Sequence, residues 1–457
     1  MKGNDFAQHG PTGIQICVIG AGYVGLTIAA GLASLGHTVI CTDTSESRIR
    51  RLRLGHVPFL EEGLPEVVTE MQTMDRLTFS PDNISAAADA DFVFLCVPTP
   101  PKAGGAADLR HVLDVADQIG PFLKPGAVVV TKSTVPVGTG DLVAGRLGRT
   151  DIAVVANPEF LAEGTALRDF FRPDRIVIGS RSLRAANAVA SLYSGLECDV
   201  IVTDIRTAEL IKYASNAYLA TRLSFINSLA DLCEAAGADI RDVARGMGSD
   251  RRIGPAFLRP GPGWGGSCFP KDTRALIRIA ADHGVDLPLV RSAVRINNDR
   301  RSAMVRRILA ELPAGHPQPT IAMWGLTYKA GTDDLRDSPA VAMVQDLLAA
   351  GVAVQVFDPT RHERMDRVVV CHDMYTACQG AHVLVVATEW PQFADADLSL
   401  VRKIMAGQVV VDTRNLLNAA AVHSAGLRYR GVGVPSQVSD VVRSPETARE
   451  PLAVMSP

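Results

Sequence analysis

A short apolar run, Ile14–Ile19, stops at a cluster of glycines, and from Tyr23 to Leu35 the apolar positions recur at helical spacing. A second apolar run, Thr38–Thr42, ends at Asp43. Strand, tight turn, helix and strand in that order predict a βαβ unit. Further apolar runs at Asp91–Val97, Ala127–Thr131, Ile152–Ala156, Arg175–Ile178 and Val200–Val202 alternate with helical or loop stretches. Residues 14–205 therefore read as a doubly wound, Rossmann-like α/β domain.

The pattern then changes. From Thr207 to Ala236 the apolar positions keep a helical period, with Gly237 as the stop. A helix of that length reads as one that links domains. More helical stretches come at Thr273–His283 and Leu289–Leu312, and a Gly/Pro-rich loop, Arg259–Asp272, precedes the first of them. Residues 206–313 read as an all-helical domain. Gly315–Gln318 reads as a linker. Strand and helix alternation resumes with Thr320–Trp324, a helix at Pro339–Ala350, Val352–Phe357, His382–Ala387 and Gln408–Asp412. Residues 318–443 are thus a second α/β domain, without a GxGxxG of its own. Met1–Gly13 and the residues after about Arg443 read as loose ends.

Composition narrows the function classes. The 46 Lys and Arg nearly balance the 49 Asp and Glu, which removes the basic footprint of a nucleic-acid binder. No apolar run reaches the roughly 18 residues of a membrane span. The eight cysteines are scattered and form no CxxC pair, which fits a reducing cytoplasm and neither a disulfide framework nor a metal site.

Four motifs carry chemistry. In Gly20-Ala21-Gly22-Tyr23-Val24-Gly25 the first glycine permits a tight turn, the second lets backbone approach a pyrophosphate, and the third lets helix pack on strand. Asp43 would bind the adenosine ribose hydroxyls and repel a 2′-phosphate, which favours NAD over NADP; Arg48 nearby weakens that preference slightly. In Gly263-Trp264-Gly265-Gly266-Ser267-Cys268-Phe269-Pro270-Lys271-Asp272 the glycines would let a ligand approach the backbone, and the Lys271 ammonium would favour a Cys268 thiolate. A lone cysteine is otherwise usually an inert buried thiol. In Asn157-Pro158-Glu159-Phe160-Leu161-Ala162-Glu163-Gly164 two carboxylates stand four apart. On a helix they would share a face, and their mutual repulsion would raise the pKa of one for base catalysis. Lys212 and Asn216, at i and i+4 on the long helix, could stabilise an oxyanion. Taken singly, these carboxylates read as a solvated face and the Lys–Asn pair as helix surface. Thr99, Ser133, Thr134, Lys329 and Arg336 lie in loops after strands, where open α/β sheets bind ligands.

Together, and in this order along the chain, the motifs resemble the UDP-glucose 6-dehydrogenase family, within the wider UDP-glucose/GDP-mannose dehydrogenases. The match runs from about Ile14 to about Gly431 and includes Ser133–Thr139 and Asp333–Pro339. The resemblance implies an NAD-binding Rossmann domain, a central helical dimerisation domain, and a C-terminal domain that holds the nucleotide. It implies oxidation of a sugar C6 alcohol to a carboxylate by NAD, with Cys268 forming a thiohemiacetal and then a thioester. Lys212 and Asn216 would stabilise oxyanions. Asp272 or Glu159 would serve proton transfer, and Thr134 would position water. Glu163, Thr99, Lys271 and Arg336 would border NAD. Phe160 and Leu161, beside Glu159 and Glu163, would contact substrate. Phe257, Leu258, Arg259, Pro260, Gly261, Gly265 and Lys329 would hold it, and Arg252 would reach the site of a neighbouring subunit. The run Ser267–Asp272 looks like the UDP-glucose branch; GDP-mannose enzymes tend to carry Leu after the cysteine. Trp264 departs from the family's usual Phe or Tyr, which implies a changed pocket wall.

Two other readings compete. A two-electron β-hydroxyacid-type dehydrogenase shares the first domain and a helical partner but needs neither Cys268 nor residues 315–431. A silent nucleotide-sugar sensor would be expected to lack Cys268, Lys212 or Asn216, and all three are present.

Overall fold

The computed structural model describes residues 13–361 and 363–435. The readings of a loose N-terminus before Gly13, and of everything beyond 435, lie outside the described residues. Packing divides the chain into two units. The first runs through Ser215 and includes Arg274–Asp286; the second comprises Asn216–Thr273 and the chain from Leu287 onward.

The first unit is built on an eight-stranded sheet. Its strands are β1 (Gln15–Ile19), β2 (Thr38–Thr42), β3 (Leu77–Ser80), β4 (Phe92–Leu95), β5 (Val128–Thr131), β6 (Ala153–Ala156), β7 (Arg175–Ser180) and β8 (Asp199–Thr203), in the order β3-β2-β1-β4-β5-β6-β7-β8. All neighbours are parallel except β6 and β7. β4 and β5 are buried along their whole length, as central parallel strands covered on both faces must be. One face packs helices Tyr23–Ser34, Glu46–Arg53, Leu64–Thr73 and Leu183–Ser191, around Leu26, Ile28, Leu52 and Val189. The other packs helices Asn83–Ala88, Arg110–Ile119 and Thr139–Leu147, around Val112, Ile119 and Val143.

The second unit holds a parallel six-stranded sheet. Its strands are β9 (Thr320–Trp324), β10 (Ala353–Phe357), β11 (Val368–Val370), β12 (Val383–Val386), β13 (Val409–Asp412) and β14 (Arg428–Gly431), in the order β11-β10-β9-β12-β13-β14. This repeats the 3-2-1-4-5-6 order of the first six strands. The helical middle of the chain does not make a core of its own here. Ile226, Ala230 and Ile240, with Met304 and Ile308 of helix Pro288–Ala310, share one core with Ile321, Met323 and Val385 of the sheet. The opposite face packs Trp324, Leu384, Phe393 and Val422.

Two boundaries differ from those expected of the sequence. The long helix spans Ile205–Ala236, and Gly237 ends it at φ +73°. The helix expected at Thr273 begins at Phe269 and runs to Asp282. Lys271 and Asp272 are therefore in its first turn, not in a loop. Pro270 has no N–H to lose there, and Asp272 complements the positive helix end.

Candidate active site

At the carboxyl end of β1 the chain turns through Gly20 at φ +105°. A Cβ on Gly20 would lie 2.7 Å from the Cys96 carbonyl oxygen, and one on Gly25 would lie 1.7 Å from the Gly20 oxygen. Nothing lies within 4 Å of the Cβ direction of Gly22. Helix Tyr23–Ser34 begins there without a side-chain cap. The turn thus presents free helix N–H groups and open space, which is what a pyrophosphate requires. Val24 packs its side chain into the core. The Tyr23 hydroxyl donates to buried Glu61 and accepts from the Gly164 N–H at 2.6 Å, joining the glycine turn to the segment that carries Glu163.

Asp43 comes directly after β2. Its Oδ2 accepts from the Ala21 N–H at 3.1 Å and from Arg48 Nη1 at 2.7 Å, and its Oδ1 accepts from the Ser45 N–H at 2.9 Å. Arg48 is therefore bound to the carboxylate and not a separate charge. Thr99, after β4, donates its hydroxyl to the Thr134 carbonyl at 2.8 Å. Ser133 donates to the Val97 carbonyl at 2.6 Å. The loops after β4 and β5 are laced together in this way.

Asn157–Ala162 after β6 is not helical, so Glu159 and Glu163 do not share the helix face expected of them. Glu159 instead meets Lys212, with Nζ 3.0 Å from Oε1, and both side chains are buried. Its Oε2 accepts from the Leu161 N–H at 2.7 Å. Burial by itself would raise the Glu159 pKa; the charge and hydrogen bond of Lys212, the Leu161 N–H and the charge of Lys132 outweigh it and hold the carboxyl below its ordinary range. For Glu159 the expected upward shift does not occur, because an ammonium and not a second carboxylate is its partner. The Phe160 ring lies under the same ammonium, 5.4 Å from Nζ to centroid, and Leu161 packs on the core.

Lys132 is a site-adjacent residue that sequence reasoning did not single out. It is buried, donates to Asn157 Oδ1 at 3.0 Å, and lies 5.5 Å from the Tyr193 ring centroid. Burial pulls its pKa down to about 8. A lysine closing the apolar run Ala127–Thr131 was the available signal.

In the second unit, the Asp272 N–H donates to the Cys268 carbonyl at 2.8 Å, the first hydrogen bond of helix Phe269–Asp282. Cys268 thus occupies the N-cap position, where the helix field favours a thiolate. The Lys271 ammonium, expected to supply that field, is engaged with Asp272 Oδ1 at 2.6 Å. Asp272 is fully buried, and its Oδ2 accepts from Asn216 Nδ2 at 2.6 Å. Asn216, Asp272 and Lys271 form one chain of hydrogen bonds.

The glycines before Cys268 also serve the packing of the loop. The space a Cβ would fill at Gly265 is taken by the Asp337 carbonyl oxygen at 2.1 Å, and at Gly266 by the Tyr328 ring at 2.8 Å. These glycines let the loop pack on its own unit. The Gly266 N–H donates to the Arg336 carbonyl at 2.9 Å, which brings Arg336 to the loop through its backbone while its guanidinium holds Asp334. Trp264 is buried and donates its indole N–H to Ser224 Oγ at 2.9 Å. Phe257 stands at φ +59° with its ring 6.2 Å from that of Phe269, and Leu258 is in the core. Arg259 is exposed and Pro260 buried. The Gly261 N–H donates to Asn227 Oδ1 at 2.8 Å. Lys329 Nζ lies 6.0 Å from the Tyr328 ring centroid. Arg252 is exposed and paired with Asp250 at 2.6 Å.

Family models of the UDP-glucose/GDP-mannose dehydrogenases match three consecutive stretches: the NAD binding domain at 14–197, the central domain at 206–299 and the UDP binding domain at 322–419. The chain belongs to the UDP-glucose/GDP-mannose dehydrogenase family. It is 44% identical over 444 residues to a UDP-glucose 6-dehydrogenase of Pseudomonas aeruginosa, covering 92% of this chain and 98% of that one. A UDP-glucose 6-dehydrogenase of Rhizobium meliloti is also 44% identical, over 92% of this chain and all of its own. Among solved structures, a UDP-glucose dehydrogenase from Pyrobaculum islandicum is similar with TM-score 0.85 and 36% identity, covering 94% of this chain and 99% of that one. As a member of this family the protein is an NAD-dependent nucleotide-sugar dehydrogenase. No helix among the described residues is long and apolar enough to cross a membrane.

Proposed function

We propose that the protein oxidises UDP-glucose to UDP-glucuronate in two steps through a thioester on Cys268. The identity to relatives named for this substrate, over nearly the whole chain, carries the substrate assignment. Cys268 at a helix N-cap supports the nucleophile. NAD, when bound at the Gly20–Gly25 turn, accepts a hydride in each oxidation.

The chain's own groups do the rest. Removal of a hydride from C6 and of the hydroxyl proton, taken by Asp272 or Glu159, leaves an aldehyde. The Cys268 thiolate adds to its carbonyl carbon, and the oxygen becomes an oxyanion that Lys212 and Asn216 stabilise. Loss of the second hydride gives the thioester. Water positioned by Thr134 then attacks, the C–S bond breaks, and the thiolate and carboxylate are released. Asp272 or Glu159 takes the proton of the attacking oxygen. Glu159, held below its ordinary pKa against Lys212, suits the task of keeping Lys212 charged. Thr99, Glu163, Lys271 and Arg336 border the cofactor, as do Tyr23, Val24, Asp43 and Arg48 around the glycines. Phe160, Leu161, Phe257–Gly261, Gly265 and Lys329 hold substrate. The working domains are 14–205, 206–313 and 318–443.

A homodimer or larger homo-oligomer belongs to this reading. Tyr218, Phe225 and Leu232 are 63%, 50% and 60% exposed and stand seven apart on one helix, an apolar stripe suited to a second helix. Exposed Arg252 is then available to the partner's site. The protein would work in the cytoplasm, where its thiols stay reduced.

The test is NADH yield taken to completion with UDP-glucose, GDP-mannose and N-acetylated UDP-sugars, for wild type and Cys268→Ser. About two NADH per UDP-glucose, with turnover lost in the variant, is the expected result. One NADH per sugar, or an active variant, overturns the thioester route.

A further inference from the structure

Helix Thr139–Leu147 starts without a cap of its own. Its N-cap residue is Gly138 at φ +94°, which has no side chain to accept the orphan N–H groups of the first turn. The acceptor comes from elsewhere. Glu209, on helix Ile205–Ala236, accepts from the Gly138 N–H through Oε2 at 2.6 Å and from the Gly140 N–H through Oε1 at 2.7 Å. The carboxyl is buried, and each oxygen has one donor. The approach depends on Gly140: a Cβ there would lie 2.4 Å from Ile205 Cγ2.

The two ends of this contact matter. Gly138 closes the loop that begins at Ser133 and carries Thr134, and Thr139 Oγ1 donates back to the Pro136 carbonyl at 2.6 Å to finish the turn. The other end of the loop is fixed by Ser133 on Val97 and by Thr99 on Thr134. Glu209 stands three residues before Lys212, so both point from neighbouring turns of one helix.

We propose that Glu209 is a positioning residue: its carboxylate clamps the Thr134 loop to the helix turn that carries Lys212, fixing the distance between the two groups during turnover. The proposal rests on the roles given above to Thr134 and Lys212. Ionisation matters to the clamp, because only the carboxylate offers an unencumbered acceptor at both oxygens. Burial pushes this carboxyl up to about 7 against the pull of the two glycine N–H groups. Asp141, on the capped helix, faces it and raises it further, while Arg206, on its own helix, opposes that and pairs with Asp141 at 2.9 Å.

Glu209→Gln keeps the shape but sets an amide NH2 against one glycine N–H. Hydrogen exchange of the peptide spanning Gly138–Gly140, kcat, KM for NAD and the pH profile are compared with wild type. Faster exchange, kcat about tenfold lower with KM for NAD little changed, and loss of the kcat rise near pH 7 are expected. Gly140→Ala, with Glu209 intact, should reproduce the kcat loss by pushing Ile205 away. Unchanged exchange, or faster exchange with kcat within about twofold of wild type, overturns the clamp. If the substrate reading itself is wrong, wild type is inactive with UDP-glucose, and the same comparison is made with the nucleotide sugar it oxidises.

Discussion

Lys212 and Glu159 form a buried ion pair 3.0 Å apart, joining the long helix to the loop after β6. Removing one member leaves the other charge buried without compensation, which costs about 3–5 kcal/mol. Glu159→Gln should therefore lower unfolding stability by that order in urea melts, and lower kcat by disturbing Lys212. The pH dependence has a definite sign. Because the folded-state pKa of Glu159 lies below 4.5, its contribution is present above pH 4.5 and is lost as pH falls through the folded value. The stability difference between wild type and variant should shrink on acidification; a constant difference would count against the pair.

Thiol reactivity should single out Cys268. Burial pushes Cys17, Cys96 and Cys378 up to about 12, and Cys41 well above its ordinary value. At neutral pH those thiols are protonated and shielded. Brief treatment with iodoacetamide should label Cys268 first, with loss of activity in step, and bound UDP-glucose should slow it. Peptide mapping by mass spectrometry checks this; faster labelling at another cysteine with activity retained would contradict it.

Asp43 restrains Arg48 at 2.7 Å. Asp43→Ser should weaken NAD use and release Arg48 toward a 2′-phosphate. The ratio of kcat/KM for NADP to that for NAD should rise at least about tenfold. Arg48→Ala in the same background should cancel the gain; if it does not, Arg48 is not the group that binds the phosphate.

Asp412 ends β13 fully buried, accepting from the N–H groups of Leu417 at 2.7 Å and Arg414 at 3.0 Å. Burial raises it from 3.8 to about 6. The folded state holds its proton more tightly than the unfolded chain, so this group favours folding below about pH 4, and that advantage is lost as pH rises through 6. Thermal melts from pH 4 to 7 should show a decline that is flatter in Asp412→Asn. The same slope in both proteins would rule out Asp412 as its source.

The first βαβ unit was legible because its signals are local: Ile14–Ile19, the glycine spacing and Asp43 lie close together in the chain. The edge strands β3, β11 and β14 were not, since β11 has three residues and β14 reads Arg-Tyr-Arg-Gly, without an apolar run. The antiparallel placing of β7 leaves no mark in its composition. Cys268, Lys212 and Asn216 could be singled out only through the resemblance that the ordered motifs carry, since by type and spacing alone they read as an inert thiol and helix surface. The partner of Glu159 could not, because a carboxylate's pKa depends on what the fold sets beside it. The neighbours of Gly265 and Gly266 could not be read for a similar reason: a glycine admits any close approach, and Asp337 and Tyr328 make one at each.

The repeated strand order has one more consequence. Asp358, at the end of β10, accepts from the Leu326 N–H at 2.6 Å just as Asp43 accepts from the Ala21 N–H at the end of β2. A carboxylate at this place is first a fastener for the turn after the central strand. Past that turn the two units part: Gly22 faces open space, whereas its counterpart Thr327 is fully buried and donates its N–H to Asp358 at 3.1 Å. The acid alone is therefore no badge of a dinucleotide. The two halves share scaffolding and diverge in the room left above it, so altered cofactor preference should be sought by reshaping that room before replacing the fastener.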